Sequence, residues 1–116
     1  MRFMMLMIPQ GYEKAEPGTM PDAKAVAAMM KYNESLQKAG VLLALDGLHP
    51  PSMGARISFS GGKPQVTDGP FAEAKDLVGG YLLVTAQSLD QAVELAHGCP
   101  ILEVDGSVEV RAVRQM

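Results

Sequence analysis

The sequence predicts an α+β fold, an antiparallel sheet with two helices on one face. Three observations carry that prediction. Short apolar or alternating runs bounded by Gly and Pro recur at Arg2 to Ile8, Val41 to Leu45, Tyr81 to Ala86 and Ser107 to Val113. Two stretches of helix-forming residues lie between them, one after the first run and one before the last. A chain of 116 residues encloses one modest core and not two, so residues 1 to 116 are read as a single domain.

Taken in order, Arg2 to Ile8 is continuously apolar after its first residue and stops at Pro9, as a strand buried on both faces would. A polar loop with Pro17, Gly18 and Pro21 follows. Asp22 stands where an N-cap belongs, and the helix it opens runs to Ala39 with Gly40 as its C-terminal stop. The expected apolar stripe of this helix is Ala23, Val26, Met30 and Leu36, with Ala27 and Met29 at its margins and Asn33 interrupting it. Val41 to Leu45 is a second strand, ended by Asp-Gly and by L-H-P-P, whose prolines cannot donate to a ladder. Arg56 to Ser60 alternates and turns through S-G-G-K into Pro64 to Thr67, a β-hairpin. Asp68-Gly69-Pro70 reads as a turn leading to a short helical segment anchored by Phe71, with Glu73 and Lys75 as solvated charges. Gly79-Gly80 opens the strand Tyr81 to Ala86, Ser88 caps a helix from Leu89 to His97, and Ser107 to Val113 closes the pattern by alternation.

Setting the hairpin aside, the order is β-α-β-β-α-β, the split pattern of a ferredoxin-like antiparallel sheet. Strands such as Met4 to Ile8 and Tyr81 to Val84 are apolar on both sides, so the sheet face opposite the helices needs cover. A second copy packing sheet against sheet supplies it, and a homodimer through the open sheet face is expected.

Composition narrows the function classes. Net charge is −3, acids outnumber bases, and the isoelectric point is near 5.3, which disfavours a phosphate-neutralising nucleic-acid surface. The N-terminal apolar run is too short to span a membrane and is not followed by a small-residue cleavage site. A single cysteine, Cys99, fits a reducing compartment, so the expected location is cytoplasmic. Its A-H-G-C-P setting reads as a packed helix end, with a reactive thiol beside His97 as the alternative. No metal is expected, because two His and one Cys lack ligand spacing, and no cofactor, because no phosphate-cradling Gly loop is present. The nine methionines read as fillers of irregular core gaps.

The segments K-Y-N-E-S-L-Q-K-A-G-V-L-L-A, G-L-H-P-P, V-T-D-G-P-F-A-E-A-K, G-G-Y-L-L-V and the closing G-S-V-E-V-R give the chain a near end-to-end likeness. It resembles the YCII-related proteins, in the group named for its D-G-P-F motif. That resemblance implies a ferredoxin-like subunit that pairs into a dimeric α/β barrel. It also implies a small-molecule cleft, since some members process small aromatic compounds and a His and Asp pair has been proposed as the wider family's active site. The family's histidine belongs to an early helical segment, and Asp22 to Ala39 contains none, so the pair is sought here among His49 and Asp68.

His49 follows a strand in a loop, where a near-neutral imidazole suits proton transfer, although a packed turn residue before Pro50 is the plainer reading. Asp68 ends the hairpin, where its carboxylate either orients His49 or caps its own turn. Asn33 needs a partner if buried, either loop backbone or a ligand, and Tyr32 lies beside it. Arg56, the cation nearest His49 in sequence, suits a carboxylate but also an exposed strand edge. The expected function is an enzyme acting without metal on a small organic molecule, with His49 and Asp68 catalytic and Tyr32, Asn33 and Arg56 in contact with ligand. The alternative is a non-catalytic ligand-binding or regulatory module, because proteins of the resembling group are often encoded beside sigma factors. The third reading is a dimer whose polar loops serve stability alone.

Overall fold

A computed structural model describes residues 1–11, 22–69 and 78–116. The elements are β1 (Arg2–Ile8), α1 (Ala23–Lys38), β2 (Leu42–Gly47), β3 (Ala55–Ser60), β4 (Lys63–Asp68), β5 (Gly80–Thr85), α2 (Leu89–Ala96) and β6 (Ser107–Ala112). Two short 3₁₀ turns, Pro51–Met53 and Pro100–Val104, join β2 to β3 and α2 to β6. Phe71, Glu73 and Lys75, and the polar loop with Pro17 and Gly18, lie outside the described residues.

Four strands form one sheet in the order β2-β5-β1-β6, every neighbouring pair antiparallel. With one helix after β1 and the other before β6, this is a ferredoxin-like arrangement. β3 and β4 form a separate two-stranded sheet. Register divides the four-stranded sheet into two unlike faces, because successive side chains alternate. Phe3, Met5, Leu82 and Val84 are buried with Tyr32, Leu36, Ala92, Ala96 and Cys99. On the opposite face Met4 lies beside Leu83, Leu6 beside Tyr81, and Tyr81 beside Asp46, and neither helix covers them.

Both helices end as local chemistry dictates. The N–H groups of Gly40 and Val41 donate to Gln37 and Leu36 carbonyls at 3.0 and 3.2 Å, a Schellman closure. That closure needs a left-handed residue after the helix, and Gly40 supplies it with φ of 76°. Ser88 Oγ accepts the Gln91 N–H at 3.1 Å, while Gln91 Oε1 reaches back to the Gln87 N–H at 2.6 Å. Asp22 occupies the N-cap of α1 but makes no side-chain capping bond.

The buried side of α1 differs from the expected stripe. Val26 is 39% and Met30 66% exposed, while Tyr32 and Leu36 are buried and Met29 packs against the core. The correction has a physical cause. α1 meets β2 and the 3₁₀ turn Pro100–Val104, and the Tyr32 hydroxyl donates to the Leu95 carbonyl of α2 at 2.7 Å. These neighbours, which periodicity does not report, select the face that is covered.

Candidate functional site

The region around His49 and Asp68 is built from a loop and a hairpin base. After β2 the chain passes through Leu48, His49 and a buried Pro50 into the 3₁₀ turn, whose Met53 N–H donates to Pro50 at 2.9 Å. The hairpin returns to this turn, where the Gly69 N–H donates to the Gly54 carbonyl at 2.9 Å. A Cβ on Gly69 would lie 1.7 Å from the Pro51 carbonyl oxygen, so only glycine lets the two backbones meet. His49 stands two residues before Pro51 and Asp68 one before Gly69, so both flank this backbone junction. Both are exposed, and no ion pair within 4.0 Å joins them among the described residues.

The other candidates occupy different settings. Arg56 pairs with Thr67 and Asp68 with Ala55, so alternation puts Arg56 and Asp68 on opposite faces of the hairpin. Asn33 lies in a shallow surface depression whose described lining, including Ala27, Met30, Lys31 and Glu34, belongs to α1. Its Oδ1 is buried and finds no hydrogen-bond partner among the described residues, and a buried unsatisfied amide oxygen costs about 1–3 kcal/mol. Beside it, Glu34 forms an exposed ion pair with Lys38 at 3.0 Å. Tyr32 is committed to the core. Its hydroxyl bonds the Leu95 carbonyl and lies 3.7 Å from Met5 Sδ, and burial, with the Cys99 thiol a lesser influence, pushes its pKa up to about 12. Contact with a ligand would require that internal bond to be shared or broken.

Cys99 is a buried free thiol with Sγ 4.0 Å from Met29 Sδ, and desolvation raises its pKa. A thiol held protonated in apolar surroundings is a packing group, in line with the packed helix end read from A-H-G-C-P. Among the described residues, no group of three or more His, Cys, Asp and Glu is arranged to hold a metal ion. No described helix is long and apolar enough to cross a membrane.

One polar pair was not legible from sequence. The Tyr81 hydroxyl donates to Asp46 Oδ2 at 3.0 Å across β5 and β2, and that carboxylate raises the phenol pKa. The pair sits among Leu6 and Leu83 on the open sheet face. Its only signal is the register, which a β-bulge between Leu42 and Ala44 shifts by one residue.

Comparisons with known proteins agree with this architecture. An uncharacterised protein of Rhizobium meliloti (strain 1021) is 37% identical over 86 residues, covering 73% of this chain. The matched part spans 66% of that relative, just under two thirds of its length. Among solved structures, 5-chloro-2-hydroxyhydroquinone dehydrochlorinase (TftG) of Burkholderia phenoliruptrix AC1100, in complex with 2,5-dihydroxybenzoquinone, superposes with a TM-score of 0.57. It covers 100% of this chain and 96% of its own at 17% identity, a likeness of fold alone. The YCII-related domain family matches residues 1–116, the whole length, and the chain belongs to that family.

Proposed function

We propose that this protein is a homodimer, joined through the open sheet face into an α/β barrel, that binds a small oxygenated ring compound and acts on it by acid–base chemistry. His49 moves the proton, Asp68 orients the imidazole, and Asn33 and Arg56 contact the ligand. Tyr32 anchors α1 to α2 through its bond to the Leu95 carbonyl. The observation that carries the reading is the seating of Gly69 on Pro51, which ties the H-P-P loop to the D-G turn so that His49 and Asp68 flank one backbone junction. The quinone complex of the structurally similar dehydrochlorinase supports hydroxylated quinones as the first compounds to try. The D-G-P-F motif supports grouping within the family, and the buried free Cys99 supports a cytoplasmic location. A hydroxyquinone panel screened by thermal shift and by absorbance tests the reading. A binder should raise the melting temperature, and His49→Ala should abolish its turnover; turnover unchanged in His49→Ala sinks the assignment.

A second reading is favoured by one observation. His49 and Asp68 are exposed and share no ion pair, which suits a ligand-binding or regulatory module, including one tied to sigma-factor-linked transcription control, better than a preassembled catalytic pair. Binding of a panel compound with no chemical change, retained in both His49→Ala and Asp68→Asn, favours that module.

A further inference from the structure

The β3–β4 hairpin has two opposite faces. Register places Ile57 opposite Val66 and Phe59 opposite Pro64 on one side, with Ala55 and Asp68 at its base, and Arg56, Ser58, Ser60, Lys63, Gln65 and Thr67 on the other. Beyond the Asp68 carboxylate at the hairpin's base, this alternation is the pattern of a ribbon with one buried face. Yet Ile57, Phe59 and Val66 are 72%, 75% and 67% exposed, and no described element of the same chain packs on them. A two-stranded ribbon without a packed face is marginal in water. We propose that the apolar face of this hairpin is an arm that docks on a second copy of the chain, each copy's arm embracing the other about a two-fold axis. This rests on the dimer reading above and adds an element to it.

Area identifies the occupant. At ~4.8 Å between strands and ~3.3 Å per residue, the four-stranded sheet offers about 400 Å² on its open side. A standard stable interface takes about 800 Å² of accessible surface from each partner, and a sheet with so small a footprint leaves part of that to other elements. Ile57, Phe59 and Val66 at their observed exposures add roughly 400 Å² of accessible apolar surface toward that total. The chain also offers an apolar counterpart, because Leu43, Leu45 and Leu48 are exposed along the β2 edge that leads into the arm.

Sedimentation of the full chain across a dilution series tests this with wild type, Leu83→Glu on the open face, and the double variant Ile57→Ser/Phe59→Ser on the arm. Both variants are expected to weaken dimerisation, the arm variant by roughly a hundredfold, with an unchanged circular dichroism spectrum. Hydrogen exchange on wild type, free of any folding artefact, should show β3 and β4 amides protected at high concentration and released on dilution. If Leu83→Glu dissociates the dimer while the arm variant does not, and arm exchange ignores concentration, the arm inference is overturned and the dimer reading stands. A wild type that is monomeric throughout overturns both.

Discussion

Replacing Tyr32 by Phe removes one oxygen from the core, and the effect on stability should change sign with pH. Near pH 8 the variant loses a 2.7 Å bond and leaves the Leu95 carbonyl without its donor, which should cost about 1–2 kcal/mol. For a chain of this size that is a fall of about 4–8 °C in melting temperature. At alkaline pH the sign reverses. The phenol pKa rises from 10.0 to about 12 on folding, because burial disfavours the phenolate. The native state therefore holds the proton more tightly than the unfolded state. Its contribution is complete below pH ~10 and drains away as pH climbs through ~12, reaching a loss of about 2 kcal/mol by pH ~11.5. Tyr32→Phe carries no such proton, so the pH dependence of the difference between the two proteins reports the phenol, with a lesser share from its coupling to Cys99. Urea unfolding of the pair in steps from about pH 8 to pH 11.5 should show the wild-type advantage shrinking to zero and then inverting. A constant difference across that range would refute the reasoning, since it would mean that the hydroxyl ionises equally easily folded and unfolded.

Other perturbations concern particular contacts. Gly69→Ala puts a methyl 1.7 Å from a backbone oxygen that cannot rotate away. It should cost about 1–3 kcal/mol and speed amide exchange at Gly69 and along β4, with β1 and β5 unaffected; wild-type exchange at Gly69 would contradict the close approach. Ser88→Ala deletes the α2 cap and should destabilise by about 1 kcal/mol, read as a lower urea midpoint, whereas Ser88→Asp should restore it.

Much of the candidate site's framework can be read from local chemistry, and its assembly cannot. β1 runs from Arg2 to Ile8 as its apolar run suggests. Ser88 and Gly40 act at the helix ends where their side chains, or the lack of one, predict. Those features depend on residues within a few positions of each other, so a linear pattern contains them. Asn33 is legible as a polar break in an apolar stripe that calls for a partner, and its buried Oδ1 finds none among the described residues. The stripe itself is misplaced, since Met30 is exposed and Tyr32 takes the core position.

Local pattern alone carries the order of strands and helices, the family, and a set of polar residues near two turns. Long-range packing sets which face of α1 is buried, why residue 69 must be glycine, that Arg56 and Asp68 face opposite ways, and that Tyr81 meets Asp46. Burial and register depend on which distant segments arrive at a surface and at what offset, and periods of 3.6 or 2 carry no information about either. The apolar face of the hairpin marks the boundary between the two. Its alternation announces a buried surface, and only the fold reveals that no described element of its own chain covers it.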